Sequence, residues 1–357
     1  MKERVFIKIK QLLHYSGFII ERIPDEKKLF DELNLVDESG KRHILKRLTS
    51  NMKIANNHKR YNSLLKRYVP KWNYNFSHSE FVGSGLGEYS FNTFRKVYFQ
   101  NKWYFEKVYF NNTSDLARIE WFYEHLFPLL DERIMVTKLF RIIEGEIFTI
   151  VYFDFTNLTS VNDADANELS LYFSKVLFQA SISPRINEVC LNSPVFLKDY
   201  RMHFGYRRNI TFAAKGIEKL SNGRLSPQII EEIIDVQPLI LTHGDIQRTN
   251  IYADSYLIDW DSFGFFPIGY ESACILYERK EILKLTELQE LLTETYKPIV
   301  DRNIWNEFEL CFFYFYFIFI SLKEDTSQTI ALKSDVFVRI DSLYETVRQN
   351  IHRCHAR

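Results

Sequence analysis

At 357 residues the chain exceeds one compact core and has room for two units of about 100–200 residues each. Its 46 lysines and arginines balance 46 aspartates and glutamates, so no net field draws a polyanion, and no nucleic acid is expected as a partner. The four cysteines (Cys190, Cys274, Cys311, Cys354) form no CxxC pair, which argues against a zinc knuckle or a disulfide framework and for a reducing, cytoplasmic setting.

Residues 1–76 mix short apolar runs with basic clusters such as Lys41-Arg42-His43 and Lys59-Arg60 and carry no catalytic pattern. They read as an N-terminal extension of unassigned role. Lys8 and Lys10 interrupt the apolar core that a secretory signal would need. The segment 68–76, with Pro70 and polar turn formers, marks the boundary. Residues 77–155 have a β-rich texture: 94–99 and 103–109 flank Gln100-Asn101 as an antiparallel hairpin, and 136–143 and 147–153 flank Glu144-Gly145-Glu146 in the same way. Between the hairpins a single helix is predicted over 115–127, begun by the cap formers of 112–115 and stopped by Pro128.

Residues 156–357 turn helical in periodicity, most clearly at 168–180, 227–234, 270–283 and 305–322. The aromatic run 310–322 is shorter than the ~20 apolar residues that cross a bilayer and reads as a buried helix, so no transmembrane segment is expected. Only 239–260 interrupts the helices. There 250–252 and 256–258 flank Ala253-Asp254-Ser255 as a tight hairpin would.

That hairpin carries the chemistry. Phosphoryl transfer from ATP needs the acceptor hydroxyl turned toward a carboxylate and the metal-bound triphosphate held still. Asp245 would accept or orient the hydroxyl proton, while Asn250 and Asp259 would offer oxygens to Mg²⁺, which takes few protein ligands beside phosphates and waters. A Gly-Asp turn followed by a strand ending in an acid explains each part singly but not the ordered set. His243, just before Gly-Asp, suits a structural role in the loop. Upstream, Phe81-Val-Gly-Ser-Gly-Leu-Gly87 precedes a strand, so Gly83, Ser84, Gly85 and Gly87 are candidates for a phosphate-covering loop. Alternation puts Trp103, Phe105, Lys107 and Tyr109 on one strand face, with Lys107 the odd member.

His243-Gly-Asp-Ile-Gln-Arg-Thr-Asn250 with Leu257-Ile-Asp-Trp-Asp261 resembles the aminoglycoside phosphotransferase and choline kinase family, of the protein-kinase-like superfamily. The resemblance implies a bilobal α+β fold, with a small β-rich, nucleotide-binding N-lobe at 77–155 and a larger, mainly helical C-lobe at 156–357. It also implies transfer of the γ-phosphate of ATP, with Mg²⁺, to a hydroxyl of a small molecule such as a sugar, aminoglycoside, amino-alcohol or glycan. Asp245 takes the part of catalytic base, Asn250 and Asp259 those of metal ligands, and Lys107 matches the lysine that holds the α- and β-phosphates. Such a lysine needs an anion, and of Glu120 and Glu124, one turn apart, Glu120 is chosen for its place midway along the predicted helix. Adenine is expected under the connector 152–155, read by its backbone groups. Gly244 and Asp259-Trp-Asp261 stand where protein kinases carry Arg and Asp-Phe-Gly, which favours the small-molecule branch over a protein kinase or a catalytically degenerate nucleotide binder. Glu271 stands where the family usually has an Asp opening a helix. Arg248 is either a phosphate contact or a solvent-facing arginine, and Asp261 a second metal contact or a turn cap.

Overall fold

Strand alternation builds the first half of the computed structural model, which describes residues 66, 69–72, 76, 78–84, 93–110, 114–145, 148–279, 282–321 and 323–355. β1 (His78–Ser84), β2 (Thr93–Phe99), β3 (Lys102–Phe110), β4 (Leu139–Glu144) and β5 (Phe148–Asp154) form one antiparallel sheet in the order β1-β2-β3-β5-β4. Gln100 and Asn101 take φ of 51° and 60°, so both central residues of the β2–β3 turn are left-handed, as the twist of a two-residue hairpin demands. Lys107 on β3 faces Phe94 on β2 and Val151 on β5 across the ladder, and Glu106 faces Arg95 and Tyr152. Gly83 and Ser84 end β1, just past a register shift between Phe81 and Gly83. Gly85 and Gly87 lie outside the described residues.

The chain divides into two compact units: the described residues up to Leu116 with Thr137–Thr156 form one, and Ala117–Val136 with the residues from Asn157 form the other. Helix α1 (Ser114–Trp121) is shorter than predicted, because a π turn (Phe122–Leu126) and a 3-10 turn (Phe127–Leu129) replace its last turns. Pro128 sits in the first positions of that 3-10 turn, where its missing N–H has no bond to lose, and does not mark the stop.

The second unit is mainly helical: α2 (Asp163–Ser181), α3 (Pro184–Asn192), α4 (Val195–Lys198), α5 (Phe204–Leu220), α6 (Pro227–Ile234), α7 (Tyr270–Glu278), α8 (Leu285–Tyr296), α9 (Trp305–Ile320) and α10 (Ser327–His355). The fold is therefore mixed α+β as expected, with a five-stranded sheet in the N-terminal part and helices in the C-terminal part. α2 begins earlier than its apolar period, since the Asn162 side chain accepts the Asp165 N–H at 2.9 Å and caps it. Asp163 and Asp165 are thus first-turn acids at the positive helix end. The aromatic run became α9, with every side chain from Phe308 to Ile320 buried against neighbours that include α5, α7 and α10. Among the described residues no helix is long and apolar enough to cross a membrane. β6 (Leu239–Thr242) pairs with β9 (Gly264–Pro267), and between them β7 (Ile251–Tyr252) folds back on β8 (Tyr256–Leu257) over Asp254 and Ser255, both left-handed at φ 58° and 60°.

Candidate active site

β6 delivers the chain into the buried loop His243–Asp245. The His243 ring donates through Nε2 to the Ile258 carbonyl at 3.0 Å, accepts the Asp245 N–H on Nδ1 at 3.3 Å and stands edge-on to Trp260 at 4.6 Å. Burial lowers its pKa to about 4, against the pull of Asp259 and the Ile258 carbonyl. A neutral ring with both nitrogens engaged is a brace, as its position before Gly-Asp suggested. Gly244 has φ of 79°, and a Cβ there would run into the Ser262 carbonyl.

Asp245 is half-buried and held by donors. Gln247 Nε2 donates to both carboxylate oxygens at 2.9 Å, and Asn250 Nδ2 donates to Oδ2 and to the Asp245 main-chain oxygen, each at 2.9 Å. Committing its N–H₂ this way orients the Asn250 amide oxygen away from Asp245. The Ile258 N–H donates to the Asn250 carbonyl at 3.0 Å, so the β7–β8 hairpin returns Asp259 beside the loop that holds Asn250. Asp259 itself is left-handed (φ 68°, ψ 58°) and opens the turn Trp260–Ser262. Trp260 locks that turn by donating to the Leu257 carbonyl at 3.0 Å and by stacking on Phe122 at 4.6 Å. Among the described residues no group of three His, Cys, Asp or Glu side chains gathers as a metal site. The candidate set is one carboxylate and one amide oxygen, hard donors that suit a magnesium ion already carrying phosphates.

Three further residues brace this loop or the chain just after the Asp259 turn. Gln247 is one. Glu271, 1% exposed at the start of α7, accepts the Gly244 N–H on Oε2 at 3.1 Å. Burial, with help from the Asp245 charge and against the Gly244 and His243 N–H groups, raises its pKa to about 8. Arg118 on α1, also buried, donates to the carbonyl of Phe263, just beyond the Asp259 turn, and to that of Phe196 at 2.9 Å. Glu278, at the other end of α7, has its carboxyl raised by burial and by Asp245 while Lys323 and Arg208 oppose the shift. Arg248 is exposed and pairs with Asp163 at 2.5 Å.

On the other unit, Lys107 is only 5% exposed, with its ammonium 5.2 Å from the Phe94 ring centre and 5.5 Å from that of Tyr109. Glu120, assigned to the second unit, is half-buried in the last turn of α1, whereas Glu124 is exposed in the π turn. The structure thus brings together Asp245, Asn250 and Asp259 within one unit. Lys107 with Gly83 and Ser84 belongs to the other.

No family model and no curated protein sequence matches the chain. Similar solved structures are small-molecule kinases. An ethanolamine kinase from Plasmodium vivax is 15% identical, with 93% of this chain and 97% of that one aligned at a TM-score of 0.44. A choline kinase from Streptococcus pneumoniae is 12% identical over 79% of this chain and 99% of that one, at 0.43. A spectinomycin phosphotransferase, solved with ADP and spectinomycin, is 14% identical over 81% and 97%, at 0.39.

Proposed function

We propose that the chain is an ATP-dependent phosphotransferase that moves the γ-phosphate to a hydroxyl of a small molecule. The observation that carries this reading is the loop-and-hairpin constellation: Asp245 clamped by Gln247 and Asn250, with Asp259 returned beside Asn250 by the Ile258 bond. Asp245 accepts the hydroxyl proton or orients it; its clamp fixes the carboxylate before an acceptor arrives, so little reorganisation is left for the reaction. Asn250 and Asp259 hold Mg²⁺, which when bound neutralises charge on the transferred phosphoryl group. Lys107 takes the α- and β-phosphates, Glu120 is its assigned anion, and Gly83, Ser84, Gly85 and Gly87 form the phosphate-covering loop.

Asp245→Asn is expected to abolish ADP production while leaving ATP binding nearly intact. ADP release would be followed over aminoglycosides, choline-like amines, free sugars, nucleosides and envelope glycans; turnover in the variant equal to wild type would overturn the assignment.

A further inference from the structure

The segment just ahead of β1 ends in a buried polar relay that the chemistry above does not use. Trp72, 1% exposed, donates through Nε1–H to the Tyr152 hydroxyl at 2.6 Å. That hydroxyl donates on to Glu106 Oε2 at 2.6 Å, and Arg95 closes the same carboxylate through Nε at 2.8 Å and its Nη2 at 2.9 Å. Glu106 and Arg95 are 0% and 2% exposed. Phe76 completes the cap, its ring centre 5.2 Å from the Arg95 guanidinium and 5.7 Å from the Trp72 ring. Arg95, Glu106 and Tyr152 are direct cross-strand partners on β2, β3 and β5, so the relay is one row of the sheet with Trp72 over its end.

This row sits one residue from Lys107. β3 reads Lys-Trp-Tyr-Phe-Glu-Lys-Val-Tyr-Phe, with apolar residues on both faces, so hydrophobic alternation alone specifies its register weakly. Its adjacent charges decide the matter. A slip of one residue would exchange the faces of Glu106 and Lys107, and a buried carboxylate without partners is costly. The face carrying Arg95 and the Tyr152–Trp72 pair meets Glu106 with three hydrogen bonds. With Glu106 committed there, Lys107 projects from the opposite face, beside Phe94 and Tyr109.

We propose that Trp72 is a positioning residue of the nucleotide-binding sheet: through Tyr152 and Glu106 it fixes how Lys107 presents its ammonium to a nucleotide's phosphates. This role rests on Lys107 holding those phosphates, as proposed above. The segment around Trp72 is then a component of nucleotide binding and more than a connection to the residues before it.

The test uses the full chain with ADP and adenosine as ligands in titration calorimetry. Trp72→Phe keeps an aromatic ring and removes the donor; Tyr152→Phe removes the relay hydroxyl. Each is expected to weaken ADP binding about 3- to 10-fold, the worth of roughly one buried hydrogen bond, while adenosine, which has no phosphate, stays within about twofold. The double variant is expected to bind ADP no more weakly than Tyr152→Phe alone, because the Trp72 donor enters the relay at that hydroxyl. Unchanged ADP binding in both variants of a protein whose wild type binds ADP overturns the inference alone. ADP and adenosine weakened alike overturn it too, as general loosening of the sheet. A wild type that binds no ADP overturns the phosphotransferase reading and this role with it.

Discussion

At the residue scale the loop His243–Asp245 depends on groups that take no part in the chemistry. Gly244→Ala combines a disfavoured φ with a collision against the Ser262 carbonyl, and is expected to cost about 2–4 kcal/mol in urea denaturation and to lower turnover as the loop shifts. Glu271 gives a signature in pH. Its folded pKa of about 8 lies above the value of 4.5 for an unperturbed carboxyl, so the unfolded chain releases that proton first. The stability this group contributes is complete below pH 4.5 and is lost as pH rises through 8. Between pH 5 and 9 the wild type is expected to lose about 2–5 kcal/mol more than Glu271→Gln, read from denaturation midpoints at each pH. Asp245, Asn250 and Asp259 could be picked out as a candidate group because their spacing is itself the signal. Gln247, Glu271 and Arg118 could not, since each works through a backbone or side-chain atom that only tertiary folding brings within reach.

At the element scale, periodicity located the helices and local chemistry moved their ends. The predicted helix over 115–127 breaks at Trp121, where Phe122–Leu126 widens into a π turn, and apolar spacing does not distinguish that from continued helix. α7 stops at Glu278 because Arg279 turns extended, although the apolar spacing continues toward residue 283. The tight turns at Gln100-Asn101 and Asp254-Ser255 were readable, being short polar breaks between β-formers. How closely helices approach was not readable. Gly269, at φ 87°, starts α7 so near α9 that a Cβ would lie 2.6 Å from the Phe312 nitrogen. Gly269→Ala is expected to lower stability by about 2–4 kcal/mol, and because α7 carries Glu271, to reduce turnover in the fraction that remains folded.

At the scale of the whole molecule, Cys190, Cys274 and Cys311 are free thiols, so none of these three cross-links the packed units. The fold class followed from the change in texture near residue 156, where strand alternation gives way to helical periods. The contact of Trp72 with Tyr152 did not, because a tryptophan beside Pro70 shares no period with the strand it meets. The proposed metal ligands are fixed by protein bonds, Asn250 to Asp245 and Ile258 to Asn250. Chelation with EDTA is therefore expected to stop ADP production while leaving the far-ultraviolet circular dichroism and thermal midpoint within about 2 °C of the untreated protein.

The left-handed backbone of Asp259 constrains how this position can change over generations. Aspartate, asparagine and glycine accept that geometry readily; most other side chains strain it. Aspartate codons reach both asparagine and glycine by one nucleotide change, so a descendant could lose the carboxylate proposed to hold the metal in a single step and keep a sound fold. Relatives without phosphotransferase activity should then carry Asn or Gly here more often than Ala or Val. For the same reason Asp259→Asn is the cleaner test of the proposed ligand, since Asp259→Ala would mix loss of the carboxylate with a distorted turn.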